Sequence, residues 1–389
     1  MRITDNPLHE EQVKSFYRDM PKNLVCFSHL RWDFVFQRPQ QLLTRLAKTF
    51  NVFFIEEPVY DAASQNYYAF LNRGENIVII QPHLKAGITE DKSKAAQKAL
   101  FDNFMENRKL SDYLFWYYTP MALEFSRKYT PKITVFDCMD ELSAFKFAPE
   151  ELKTLEKELL AKADVVFTGG YSIYEAKKNL HANIYPFPSS IEKEHFAKAR
   201  RMVRKSGDKV KLGFFGVIDE RFDMEMIRNI ASAKPEWQIV LIGPVLKIDP
   251  RTLPKNENIL YLGQVSYSKL PEYLADWDIA LIPFLLNEST RFISPTKTPE
   301  YLAAAKPVIS TPIRDVVNPY GKNKLVNIGS SADDFIAAAE KELKTKQKDK
   351  WLKRVDAFLA LNSWDKTCLK MLGIVNETIN CKPYTSIAQ

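Results

Sequence analysis

A chain of 389 residues with 46% hydrophobic content exceeds one ordinary domain and can bury two cores of conventional size. Its 55 basic and 48 acidic residues give a net charge of +7, a mild excess that suits phosphates or an anionic membrane surface and gives no indication of nucleic-acid binding. No apolar run reaches the roughly 18 residues of a membrane span, Cys26, Cys138, Cys368 and Cys381 lack zinc or disulfide spacing, and with only 12 glycines, glycine-rich phosphate loops are scarce.

The first residues, MRITDNPLHEEQVKSFYRDM, are polar and charged where a secretory signal carries an apolar core, so a polar N-terminal helix and a cytoplasmic protein are expected. Residues 24–28, LVCFS, read as a buried parallel strand that opens an α/β domain. A loop and a helix follow, the helix carrying Leu42, Leu43, Leu46 and Ala47 on one core-facing stripe. In a doubly wound sheet, ligands bind beyond the carboxyl ends of the strands, which sets His29, Arg31, Trp32 and Arg38 at the cleft. For Arg38, packing at the helix start is the other reading. Apolar runs at 51–56, 76–81 and 113–117 predict strands, with helices at 91–108 and 120–128. The strand at 133–137 delivers Asp137, Asp140 and Glu141 to the same edge, where a carboxylate can accept two sugar hydroxyls or handle a proton. Capping of the segment 142–147 needs only one of these acids, which favours a site role for Asp140. A helix at 149–162, a strand at 164–168 and the close-approach pair Gly169-Gly170 follow.

Residues 193–211, KEHFAKARRMVRKSGDKVK, concentrate basic charge without apolar periodicity and read as an exposed connector, with a membrane- or partner-binding patch as the alternative. A second α/β unit starts with a strand at 210–216 and runs through Arg221 into a helix carrying Met224, Ile227 and Ile230. A strand at 238–242 ends at Gly243, and another spans 259–265, ending at Val265. Asp276-Trp277-Asp278 has the form that can hold a divalent ion on a diphosphate. It closes a helix at 269–275 and opens a strand at 279–283, at the amino edge opposite the crevice, so a structural turn is expected and no metal site is assigned. Residues 294–311, SPTKTPEYLAAAKPVIST, combine an entrance loop, a helix start at Pro299 and a buried strand at 307–310. Backbone N–H groups there, with Ser294, Thr296, Lys297 and Thr298, suit a diphosphate, and Glu300 falls in the first turn. A surface helix whose hydroxyls satisfy only its own backbone is the alternative. Helices at 333–344, 351–360 and 364–380 end the chain.

The run Glu300-Tyr301-Leu302-Ala303-Ala304-Ala305-Lys306-Pro307-Val308-Ile309 resembles the nucleotide-sugar site of retaining GT-B glycosyltransferases, especially the large family 4, glycosyl transferases group 1. Arg38-Pro39-Gln40-Gln41-Leu42 resembles the R-P-Q-x-L run of a bacterial subset, and Ser189-Ser190-Ile191-Glu192 occupies the slot of the family's N-G-V-D at the end of its first domain. The resemblance implies an α/β chain of two Rossmann-like doubly wound domains facing across a cleft. Residues 1–200 form the acceptor side, with His29, Trp32, Arg38 and Glu141, and residues 201–361 bind the nucleotide sugar. Residues 362–389, with Ser363-Trp364-Asp365 near their start, imply a terminal helix that crosses back to the first domain. Gly216 is expected against the donor, Arg221 and Lys297 at the diphosphate, Glu300 on the ribose hydroxyls, and backbone near Gly243 and Val265 at the base.

The family carries a glutamate eight residues before Glu300, where this chain has Phe292, and Glu288 or Arg291 is the candidate to replace it. The implied reaction is a metal-independent, retaining hexosyl transfer from a nucleoside diphosphate sugar, with no further cofactor. The acceptor is a hydroxyl of a glycan or lipid-linked molecule in polysaccharide assembly, with peripheral contact to an anionic inner membrane face, and Arg221, Lys297 and Asp140 are the expected catalytic residues. A sugar-nucleotide epimerase on the same plan, and a donor-binding scaffold without chemistry, motivated by Phe292, are the competing readings.

Overall fold

The computed structural model describes residues 18–381 apart from 147, 205, 206, 208 and 347, so most of the expected N-terminal helix, part of the basic connector and Phe147 lie outside the described residues. The first sheet contains β1 (Asn23–Phe27), β2 (Asn51–Ile55), β3 (Val59–Ala62), β4 (Tyr67–Asn72), β5 (Ile77–Lys85), β6 (Tyr113–Tyr117), β7 (Ile133–Cys138), β8 (Val165–Thr168) and β9 (Ile184–Pro186). Their order is β3-β5-β2-β1-β6-β7-β8-β9, with β4 antiparallel on β5. Central strands are apolar throughout because both faces are covered: all five residues of β6 are buried. Alternate side chains feed separate cores, Leu24 and Cys26 of β1 on one face and Val25 and Phe27 on the other. The ribbon β3 and β4 was not expected from the sequence. It lies outside the covered part of the sheet, with Tyr60, Tyr67 and Phe70 exposed, so its residues carry no burial pattern to read.

The second sheet contains β10 (Lys211–Phe215), β11 (Gln238–Ile242), β12 (Ile259–Tyr261), β13 (Ile279–Ile282), β14 (Val308–Ser310) and β15 (Asn327–Ile328). Its order is β12-β11-β10-β13-β14-β15, parallel at every pairing. The second core already includes Ile191, Phe196 and Ala199, so the chain joins this body ahead of residue 200. Both sheets are doubly wound, with strand order reversing between β1 and β6 in one and between β10 and β13 in the other. The carboxyl ends at those switch points line a shared cleft.

The last described helix, Trp364–Cys381, returns to the first domain. Its Trp364, Met371, Leu372 and Val375 join a core cluster with Leu43, Leu46 and Phe167. The basic connector is less free than its composition suggests. Lys193 and Arg200 both reach Asp356 at 3.0 Å, and Arg204 reaches Asp278 at 2.6 Å, so much of its charge serves to fasten the second domain.

Candidate functional site

A cavity of about 1120 Å³ lies between the two sets of strand ends. Two glycines open it on the second-domain side. At Gly216, with φ +139°, a β-carbon would lie 2.1 Å from Lys297 Cε, and at Gly243, with φ +140°, one would lie 1.9 Å from the Gly216 carbonyl oxygen. Only glycine adopts this backbone at ease and leaves space for the lysine stem. Lys297 begins the Lys297–Ala303 helix, and the Tyr301 hydroxyl accepts from the Phe215 amide at 3.0 Å, which ties that helix to the end of β10.

The Lys297 ammonium lies over the rings of Phe214 and Phe284, 5.6 and 5.7 Å from their centroids. Burial pulls its pKa down to about 8, reinforced by Arg221 and opposed by Glu300, Asp219 and Asp140. Burial pushes Glu300 up to about 8, against the pull of Lys297. Arg221 is held by an Asx turn: its backbone N–H and its Nε donate to Asp219 Oδ1 at 3.0 Å, and a terminal nitrogen donates to Oδ2 at 2.6 Å. Gly216, Gly243, Val265, Ser294, Thr296, Lys297 and Glu300 all line the cavity. Thr298 does not: it is fully buried behind the wall, and its hydroxyl has no partner.

From the first domain, His29, Trp32, Arg38 and Asp140 line the same space. His29 is neutral across the physiological range, because burial lowers its imidazole to about 4 even though it donates to the Tyr118 carbonyl. Trp32 packs edge-on against Phe54, 5.2 Å between centroids, and its amide donates to Glu56 Oε1 at 2.7 Å. Burial raises the carboxyl of Asp140, while Arg221, Arg38 and Lys297 draw it back down, so this acid faces the second-domain cations.

Two expectations on this side need correcting. Arg38 touches the cavity, but its guanidinium is committed to Asp137 at 2.8 Å and to the Phe187 carbonyl at 2.7 Å, with both ionic partners almost completely buried. Its charge fastens the start of the Arg38–Leu46 helix to the ends of β7 and β9 and is not available to a ligand. Glu141 points away from the cavity and pairs with Lys177 at 2.7 Å.

Phe292, at the position of the upstream glutamate that the resemblance implies, does not line the cavity. Phe292 packs against the first-domain core, while Glu288 and Arg291, 78% and 67% exposed, sit at a separate shallow groove and cannot substitute for it. Asp276 and Asp278 are far from the cavity edge, paired with Lys211 at 2.5 Å and Arg204 at 2.6 Å. Neither carboxylate is available to the ligand space, and no group of three His, Cys, Asp or Glu among the described residues is arranged to hold a metal. Sequence reading missed Asp219, Phe145 and Tyr267. Asp219 had a local signal, its spacing of two from Arg221, whereas Phe145 and Tyr267 reach the site only through tertiary packing.

Residues 210–345 match the family model described as Glycosyl transferases group 1. A Bacillus subtilis (strain 168) protein with the provisional name teichuronic acid biosynthesis glycosyltransferase TuaH is 26% identical over 251 residues, which covers 59% of this chain and 63% of that relative. The match therefore spans less than two thirds of the relative's length. Among solved structures, sucrose-phosphate synthase from Thermosynechococcus elongatus superposes with a TM-score of 0.70 at 13% identity, covering 93% of this chain and 100% of that one. The E. coli trehalose-6-phosphate structure bound with UDP-2-fluoro glucose gives 0.67 at 13%, with 93% and 100% covered. Anabaena HepE in complex with UDP gives 0.62 at 11%, with 92% and 100% covered. These likenesses establish the architecture as GT-B, two Rossmann-like domains around one cleft.

Proposed function

We propose that this protein is a glycosyltransferase of the group 1 type, moving a sugar from a nucleoside diphosphate sugar to a hydroxyl acceptor with retention, in polysaccharide assembly. The observation that carries this reading is the gathering of Arg221, Lys297 and Glu300 on one wall of the cleft, with the Asp140 carboxylate facing them. As the glycosidic bond breaks, negative charge grows on the departing diphosphate, and two cations fixed beside it lower that barrier. Positive charge develops on the sugar at the same moment, where an opposing carboxylate is stabilising. Asp140 fits that role and takes over the sugar-side contact that Phe292 cannot make.

Glu300 is suited to accept from the ribose hydroxyls, and the backbone near Gly243 and Val265 lines the space left for the base. The match of residues 210–345 to the group 1 family and the UDP-bound neighbours support a nucleotide-sugar donor, and the TuaH relative supports a polysaccharide setting. Metal independence is part of the proposal, supported by the pairing of Asp276 with Lys211 and Asp278 with Arg204, outside the residues that line the cavity. A peripheral membrane position for a lipid-linked acceptor is part of the proposal; among the described residues no helix is long and apolar enough to cross a membrane.

Phe292 at the expected glutamate position motivates one competitor, a scaffold that binds donor without chemistry, and a sugar-nucleotide epimerase on the same plan is the other. A thermal-shift panel of nucleotide sugars identifies the donor, because a ligand of the folded state raises apparent stability with the logarithm of its saturation. Product analysis with that donor then decides. Free nucleoside diphosphate together with a glycosylated acceptor supports transfer, a new free epimer supports an epimerase, and tight binding without turnover supports the scaffold.

A further inference from the structure

Phe145 follows the short 3-10 turn Leu142–Ala144 after β7 and projects from the first domain into the cleft. Its ring meets two cations of the second domain: Arg221 Cζ and Lys247 Nζ each lie 5.1 Å from its centroid. Other contacts between the domains, polar and apolar, lie elsewhere, with Phe36 packing on Tyr267 at 4.8 Å between ring centroids. Gln264 donates to the Phe34 carbonyl, Gln41 donates to the Tyr267 hydroxyl at 3.2 Å, and Ser172 donates to Asp315. None of these touches Arg221 or Lys297. The Phe145 ring is different because it lands on the guanidinium that the proposed reaction places at the diphosphate.

We propose that Phe145 is a cross-domain positioning residue that fixes the Arg221 guanidinium for the donor diphosphate when the two domains are together. This rests on the glycosyl-transfer reading. Asp219 holds Arg221 within the guanidinium plane by a two-oxygen clamp, which leaves rotation out of that plane to be stopped by something else. A second carboxylate would stop it, but would also cancel the charge that the diphosphate needs. An aromatic ring attracts the cation through its quadrupole, consumes no N–H donor and adds no net negative charge. Lys247 holds the same ring from its own domain, with its backbone in the left-handed region at φ +59°, so the ring has two second-domain anchors. Because the ring belongs to one domain and both cations to the other, this alignment exists only while the domains are closed on each other.

The test is a double-mutant cycle on binding, which needs no knowledge of the acceptor. Inorganic pyrophosphate, UDP, GDP and ADP are titrated calorimetrically into wild type, Phe145→Ala, Arg221→Ala and the double variant. In the wild-type background Phe145→Ala is expected to weaken diphosphate binding about three- to tenfold. With Arg221 already removed, the same change should have less than a twofold effect, because a residue acting through Arg221 has nothing left to act on. Phe145→Tyr, which keeps the ring, should bind like wild type, and circular dichroism melts of all variants check that the fold is retained. Equal weakening in both backgrounds, or none in either, overturns the proposal. Failure of wild type to bind any of the four probes is a different result, and overturns the donor-site reading beneath it.

Discussion

Lys297 concentrates the chemistry of the site in one side chain. It threads past Gly216, rests on two aromatic rings and shares its burial with Glu300, so both groups titrate near pH 8. A bound diphosphate favours the ammonium and raises the lysine's pKa, so near pH 8 the complex holds more protons than the free protein. Binding is then linked to proton uptake, and affinity falls as pH rises past 8. Glu300 changes charge in the same window and blurs this signal, so Glu300→Gln gives the clean experiment. In that variant Lys297 loses a carboxylate that raises its pKa, so the window moves to below pH 8 and nucleoside diphosphate affinity should drop there by up to about tenfold per pH unit, whereas Glu300→Gln combined with Lys297→Met should show a flat profile. A flat profile in both would remove Lys297 from the diphosphate. Turnover should fall about 100-fold in either Arg221→Ala or Lys297→Ala, the usual consequence of deleting one preorganised charge at a developing anion; steady-state rates near wild type would refute the assignment. Ribose hydroxyls donating to Glu300 favour its ionised form against the burial that raises its pKa, and a charged acceptor is worth more than a neutral one, so at pH 8 or above Glu300→Gln should weaken donor binding by about one order of magnitude and lose discrimination against a 2′-deoxy donor. Equal discrimination in both proteins, measured by calorimetry, would exclude Glu300 from the ribose.

The R-P-Q segment shows how an element can look functional and prove architectural. Arg38 anchors the helix start to Asp137, Pro39 occupies its first turn, and the Gln40 side chain accepts from the Gln37 amide at 3.1 Å while donating to the Trp32 carbonyl at 2.7 Å. Removing one member of a fully buried ion pair strands the other, so Asp137→Ala should cost about 3–5 kcal/mol in urea denaturation, and a joint Arg38→Met, Asp137→Leu change should recover most of it. A loss below about 1 kcal/mol for the single variant would show that Arg38 finds water or another partner. The sequence made the helix legible through the spacing of its leucines, and the cleft edge legible through strand ends. It could not reveal whether a charge at that edge turns inward, because the partner of Arg38 lies 99 residues away. Glu141 and Thr298 failed as site residues for the same reason: Lys177 claims the first and a buried wall encloses the second. Lys306, conspicuous in the motif that suggested the family, donates to the carbonyls of Ala275 and Trp277 and so anchors a helix end.

Across the whole molecule, chain order and domain membership part company at the end. The Trp364–Cys381 helix follows the second domain in sequence yet buries Trp364, Met371, Leu372, Val375 and Ile379 in the core of the first. It couples the halves covalently without touching the diphosphate wall, so stability and ligand binding should separate when it is damaged. Leu372→Ala removes buried methyl groups from a close-packed contact and should destabilise by about 2–5 kcal/mol, the usual range for such a cavity. The loss belongs to the first domain, whereas the residues expected to hold the nucleoside diphosphate belong to the second. Under conditions where the variant remains folded, its nucleoside diphosphate affinity should therefore stay within about twofold of wild type, because sites this far apart without shared partners behave independently. The melting temperature, followed by fluorescence, should drop at the same time. A variant that keeps its melting temperature would mean that the helix is not seated as described. A variant that loses affinity more than tenfold while still folded would mean that the first-domain core controls the donor wall directly, through the domain closure that brings Asp140 and Phe145 to face Arg221.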